Sequence, residues 1–151
     1  MAEFDIDGHT YRTTKMNGRE QFHLLRKLGT MAGIFSRFVR LDLPPNEAMR
    51  NMTVIMAFWE EFSKLTEAQA DDLLSHCLSH TRRLAGGNGA GPQVALPMFQ
   101  GRDMFEDLDI MVLMRICIEV IRENLGSFFP IGSVPDLSQP QPSPPEHPPS
   151  P

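Results

Sequence analysis

The fold is decided at residues 3–13, where the chain reads EFDIDGHTYRT. Phe4 and Ile6 alternate with acidic residues, which indicates a strand with one buried face. Asp7-Gly8 suits a two-residue hairpin turn, because both central residues of such a turn need a positive φ. Two short strands are not stable alone in water, so the hairpin, predicted over residues 3–14, must lie against helices.

Helices are predicted to follow the hairpin. Asn17 with Glu20, and Thr66 with Gln69, form capping boxes at two helix starts. Gly126 is placed to end the last helix in the left-handed conformation. Four segments are expected to be helical, at about residues 18–40, 46–65, 66–84 and 105–125. The predicted fold class is therefore mainly α, of the α+β type: a small N-terminal β-hairpin packed on a bundle of about four helices.

The first predicted helix has a broad apolar stripe, and the last is apolar on most of its surface. Gly29 and Gly33 lie inside the first helix, where they predict a bend or a close backbone approach. The last helix is apolar on most sides and is expected to be the central core helix. Residues 85–92 form a glycine-rich loop, and residues 94–99 are expected to run extended over the body. The apolar stripe predicted for the first helix consists of Phe22, Leu25, Leu28, Met31, Phe35 and Phe38.

The second predicted helix has two apolar faces about 120° apart at the helical period. One face, with Ile55, Phe58, Phe62 and Leu65, suits the core. Methionine is flexible and adapts to irregular apolar partners, so the other face is a candidate partner-binding surface. That candidate surface consists of Met49, Met52, Met56 and Trp59.

Composition divides the chain into a body and a tail. Residues 1–129 are predicted to form a single globular domain. Nine prolines fall among the last 22 residues, so residues 130–151 are expected to be a disordered tail. The tail suits a solubilising or tethering role, and its proline spacings leave binding to an aromatic groove as an alternative.

Charge and apolar content exclude several classes of protein. The net charge of −5 argues against a general nucleic-acid binder. The longest apolar stretch, residues 110–118, is too short to span a membrane. Two cysteines do not make a disulfide framework, so a reduced compartment is expected. A basic cluster around the first helix leaves a small regulatory binder as an alternative; it consists of Lys15, Arg19, Arg26, Lys27, Arg37 and Arg40.

No motif predicts an enzyme, a cofactor site or a metal site. His76 and His80 have a spacing that can chelate zinc, but only Asp72 could join them locally, and four ligands are normally needed. Cys77 and Cys117 lie on apolar faces, where thiols are usually inert. The glycine-rich loop lacks the Lys-Ser/Thr ending of a phosphate-binding loop.

Short motifs near both ends of the body resemble tail assembly chaperones of long-tailed bacteriophages and prophages. These motifs are Ile6-Asp7-Gly8, Tyr11-Arg12, Lys15-Met16, Gln21-Phe22-His23, and the stretch from Ile121 to Asn124-Leu125-Gly126-Ser127-Phe128-Phe129. The resemblance spans residues 1–129. The glycine-rich loop and the proline-rich tail depart from the family pattern.

The resemblance implies a non-enzymatic protein that binds the apolar helices of the tape measure protein, keeps it soluble and promotes tail tube assembly around it. The tail tube protein is a second implied partner, and self-association stays open. The implied location is the host bacterial cytoplasm, with the protein absent from the mature virion. A structural virion protein, such as a tail-completion or connector component, is the alternative function.

Overall fold

A computed structural model describes residues 2–33, 44–87, 89 and 91–126. The predictions for residues 34–40, for Phe128 and Phe129, and for the tail at 130–151 lie outside the described residues. In chain order the elements are β1 (Ala2–Ile6), β2 (His9–Thr13), α1 (Gly18–Leu28), a 3₁₀ turn (Gly29–Gly33), α2 (Glu47–Phe62), α3 (Glu67–Ser79), β3 (Thr81–Ala85), β4 (Val94–Pro97) and α4 (Ile110–Leu125). Within the described residues the fold is α+β, with four α-helices and one four-stranded sheet.

The N-terminal hairpin is confirmed. Strands β1 and β2 pair antiparallel with Phe4 opposite Tyr11, and the two rings stack with their centroids 5.8 Å apart. Asp7 has a φ of 51° and Gly8 a φ of 81°, as a two-residue turn of this kind requires. The buried side chains of the hairpin share one face of the sheet, and α4 contacts both strands.

The sheet is larger than the predicted hairpin, because β3 and β4 extend it in the order β1-β2-β3-β4 with all neighbours antiparallel. The prediction of helix through residue 84 was therefore wrong. Helix α3 ends at Ser79, and Thr81 Oγ1 donates to the Cys77 carbonyl at 2.9 Å as the chain turns into β3. The extended segment predicted at 94–99 contains β4. Gly86 begins the connecting loop, where an added Cβ would lie 2.5 Å from the Pro92 carbonyl oxygen.

Three other helix ends differ from the prediction. Helix α1 ends at Leu28 because Gly29 adopts a φ of 51° and starts the 3₁₀ turn. Helix α4 begins at Ile110 rather than 105, since the Asp109 side chain accepts from the Val112 N–H at 3.0 Å and caps it there. That helix ends at Leu125 as predicted, but Gly126 has a φ of −60°, so the predicted left-handed conformation of Gly126 was wrong. Helix α2 ends at Phe62, three residues before the predicted boundary of 65.

The capping boxes and the central core helix are confirmed. Both boxes, at Asn17 with Glu20 and at Thr66 with Gln69, are formed by reciprocal hydrogen bonds. Helix α4 contacts α1, α2 and α3 as well as the hairpin. Ten of its residues are buried, and Asn124 Oδ1 accepts from the Met16 N–H at 2.7 Å. That bond ties the start of α1 to the central helix.

A buried arginine fixes the loop before α4 to the sheet. Arg83 on β3 is buried and donates to both carboxylate oxygens of Asp107, at 2.8 and 2.9 Å. Its guanidinium also lies 4.6 Å from the centroid of the Phe105 ring. This bidentate, charge-assisted pair positions residues 105–109 and hence the first turn of α4.

The Arg83–Asp107 pair predicts an acid-sensitive component of stability. The Arg83 guanidinium, as a hydrogen-bond donor and then as a charge, holds the pKa of Asp107 below its usual range. The pair therefore stabilises the fold fully above the unfolded pKa of about 4, and this contribution is lost as pH falls through the lower folded pKa. Urea unfolding from pH 7 to pH 2.5 should show that Asp107→Asn destabilises the protein at neutral pH and that this difference shrinks in acid. Asp71→Asn, at an exposed position on α3, is the control. An Asp107→Asn effect that stays constant over this range would contradict the prediction.

Candidate interaction surface

Helix α2 is fixed in the body by its inner face. Its start is capped by Asn46, whose side chain accepts from the Met49 N–H at 3.2 Å. Ile55, Phe58 and Phe62 are buried on that inner face, and α2 contacts α4. The orientation of α2 therefore determines which of its side chains point outward.

The outward face of α2 carries the four apolar side chains that the sequence selected. Met49 is 61% exposed, Met52 49%, Met56 53% and Trp59 40%. At 100° per residue they lie within an arc of about 80°. We call these four residues the methionine stripe.

The methionine stripe is supported from below and carries no charge. The Trp59 ring stacks on Phe62 with centroids 6.2 Å apart, and Phe62 stacks in turn on Phe58 at 6.0 Å. Thr53, beside the stripe, donates its hydroxyl to the Met49 carbonyl at 2.8 Å. Stacking holds Trp59 in place while part of its ring stays exposed.

Charged side chains of α2 lie beside the stripe or behind it. Glu60 is exposed at one edge, whereas Arg50 and Glu61 are buried on the flank beyond it. Lys64 Nζ donates to Glu61 Oε1 at 3.1 Å. The stripe thus has an apolar centre, with the exposed Glu60 at one edge.

Other apolar side chains are exposed that sequence reasoning did not select. Phe22 and Leu25 belong to the apolar stripe predicted for the first helix, and they are 63% and 40% exposed. The buried side chains of α1 are Leu24 and Leu28, whose i, i+4 spacing was the available signal. Further exposed apolar residues are Val94, Leu96, Met104, Ile110 and Met111.

The residues considered for chemistry take structural positions. The His76 and His80 rings lie 5.3 Å apart, and burial lowers the pKa of His76. No cluster of three or more metal-ligating side chains occurs among the described residues. Cys77 and Cys117 are both buried, and their mutual hydrogen bond, with burial, raises the pKa of Cys77. A thiol in this state is a poor nucleophile.

The predicted basic cluster is only partly within the described residues. Lys27 Nζ donates to Asp72 Oδ1 at 2.7 Å, which joins α1 to α3. Arg37 and Arg40 lie outside the description. No helix in the described part of the chain has the length and apolar character that a membrane crossing requires.

Comparison with known proteins identifies the family. A family model described as "Phage tail assembly chaperone protein, TAC" matches residues 7–135. No curated protein and no solved structure matches the chain. The family match covers well over half of the sequence and includes strands β2 to β4 and all four helices described above, whereas β1 precedes it. The chain therefore belongs to the family of phage tail assembly chaperones.

Proposed function

We propose that this chaperone binds apolar helices of the tape measure protein through the methionine stripe, keeps that protein soluble and promotes assembly of the tail tube around it. The observation that carries the proposal is an uncharged row of four exposed apolar side chains on a helix whose opposite face is packed. Contiguous exposed apolar surface of this kind marks interaction sites.

The stripe supports reversible binding. Fully burying one side chain of this size contributes about 1.5–3 kcal/mol, and these side chains are already about half covered. Four partial burials, less the cost of association, correspond to an affinity in the micromolar range, about −8 kcal/mol. Such a complex dissociates readily, so release needs no bound nucleotide. Many copies on one long client would act together.

The proposal extends to partners and place of action. The protein acts in the host cell, contacts phage tail proteins and is non-enzymatic. The tape measure protein is the first client and the tail tube protein the second. The chaperone leaves when the tube forms and is absent from the finished virion. A structural virion component is the alternative, and mass spectrometry of purified virions separates the two, because only the alternative predicts the protein there.

Co-expression with the tape measure protein of the same phage tests the proposal. We expect the tape measure protein to move from the insoluble to the soluble fraction and to co-purify with the tagged chaperone. Client helices with exposed apolar side chains aggregate when no chaperone is present, and covering those side chains removes the cause of aggregation. Unchanged client solubility together with no complex in the pull-down would refute the proposed function.

A further inference from the structure

We infer that this chaperone self-associates head to tail, with the outward face of α1 in one copy bound to residues 103–111 of the next copy. The inference goes beyond the proposed function and does not depend on the identity of the client. It rests on two exposed faces of opposite charge, on the apolar side chains that both faces carry, and on their separation within one molecule.

The outward face of α1 is both basic and apolar. Arg19 and Arg26 are exposed and lie seven residues apart, about two turns, on the same side of the helix. The exposed Phe22 lies between them, and the exposed Leu25 lies beside it. Neither arginine forms an ion pair with another of the described residues. Arginine and aromatic side chains together are typical of protein–protein interfaces.

Residues 103–111 form a surface of the opposite charge. They include four acidic residues and no basic residue, although Arg102 precedes them. Asp103 and Glu106 are exposed, and within the described part of the chain neither has an ion-pair partner. The same segment also exposes large apolar side chains, which are those of Met104, Ile110 and Met111.

The two faces lie on different sides of α3. Lys27 of α1 donates to Asp72 at 2.7 Å, whereas Asp103 lines a groove with Leu74 and Leu78. At 100° per residue, Leu74 and Leu78 project at least about 120° away from Asp72 around the axis of α3. The outward face of α1 therefore does not meet residues 103–111 of its own chain, and their pairing requires a second molecule.

Charge determines which faces of two copies pair. Two α1 faces would bring like charges together, and so would two copies of residues 103–111, which is unfavourable at contact. Only the α1 face of one copy with residues 103–111 of another joins opposite charges. The net charge of −5 is spread over the whole chain, and its repulsion is screened beyond about 10 Å, whereas the paired groups are in contact.

The contact is heterologous, because the two copies contribute different faces. Each copy in a row keeps one α1 face and one 103–111 segment for its neighbours, so repetition gives a ring or an open filament. No residue of the methionine stripe takes part, so self-association and client binding do not compete for side chains. A row of copies would carry one stripe per copy along a long client, although a single copy can bind without the row.

Sedimentation velocity of the full-length protein, at rising concentration and at low and high salt, tests the contact. One variant, Arg19→Ala with Arg26→Ala, removes the basic groups, and a second, Asp103→Ala with Glu106→Ala, removes the acidic ones. Arg82→Glu, at an exposed position on β3, changes the net charge by the same amount as the arginine variant and is the control. Circular dichroism verifies that every variant is folded.

We expect the native protein to form species larger than a dimer at low salt and to dissociate at high salt, because the attraction is between exposed charges. Each double variant should self-associate about tenfold more weakly, since two exposed ion pairs are lost. Arg82→Glu should behave as the native protein does. An equal mixture of the two double variants should form pairs and stop there, because each copy keeps one complementary face.

The possible results separate this contact from the proposed function. A native protein that stays monomeric at low salt would overturn the inference, while co-purification of the tape measure protein would still support the proposed function. Native-like association of both double variants, equal weakening by Arg82→Glu, or no pairing in the mixture would also overturn the inference. Pairing in the mixture without capture of the tape measure protein would support the contact and count against the proposed function.

Discussion

Replacing Met52 and Met56 together by glutamate will abolish capture of the tape measure protein and leave the fold intact. Both side chains are about half exposed, so the new carboxylates stay hydrated in the free protein, and glutamate is a good helix former. In the complex the same carboxylates would be buried against apolar client residues without partners, which costs several kcal/mol. A micromolar complex would weaken by at least about 100-fold, beyond detection in a pull-down.

The control for this variant carries the same added charge elsewhere. Phe22 and Leu25 are exposed apolar residues three apart on α1, so Phe22→Glu with Leu25→Glu changes charge and apolar surface equally, away from α2. We expect that control to retain binding, and both variants to unfold within about 3 °C of the native protein in calorimetry. Loss of binding in both variants would indicate a nonspecific charge effect. Unfolding of the Met52 and Met56 variant would show that the stripe belongs to the core.

Features set by neighbours in sequence were predicted correctly. The turn at Asp7-Gly8 and the capping box at Asn17 depend on backbone geometry and on side chains within three residues. The two faces of α2 follow from the helical period alone. The exposure of Met49, Met52, Met56 and Trp59 agrees with the face assigned to them, whereas their role in binding stays a prediction.

Features set by contacts between distant segments were missed. Thr81 and Leu84 continue the helical spacing of α3, so local pattern favoured helix through residue 84. Strand β3 forms because β2, about seventy residues earlier, offers it an edge, with Tyr11 opposite Arg83. The glycines after Ala85, between two short apolar segments, were a usable hairpin signal. Nothing in the neighbouring sequence indicates that Arg83 is buried, because its partner Asp107 lies in the loop before α4, 24 residues later.

The exposed apolar residues of α1 show the same limit on local reasoning. Phe22 and Leu25, with Leu28, fit one helical stripe, and Leu24 with Leu28 fits another. Which stripe faces inward depends on where α3 and α4 lie against α1, and a helix pattern does not contain that position. For α2 the helical period gives two apolar faces, and it is the packing of α2 on α4 that turns the face with Ile55, Phe58 and Phe62 inward.

The second substitution with a large expected effect lies in the central helix α4, where Ile116→Asp will unfold the protein. Ile116 lies in the middle of α4 with no exposed surface, and α4 contacts the other three helices and the hairpin. An unpaired carboxylate there loses its hydration, and the lost apolar contacts add to the cost. Together these terms reach about 5 kcal/mol or more, comparable with the total stability of a domain of this size.

Ile110→Asp on the same helix is the matched control. Ile110 is 54% exposed at the first position of α4, where a carboxylate stays hydrated and interacts favourably with the positive end of the helix dipole. Circular dichroism and urea titration should show a folded protein of nearly native stability for Ile110→Asp and no cooperative transition for Ile116→Asp. A folded Ile116→Asp variant with a native-like transition would mean that α4 is not the centre of the core. The packing that turns the methionine stripe outward would then lose its basis, because α2 is held in place by α4.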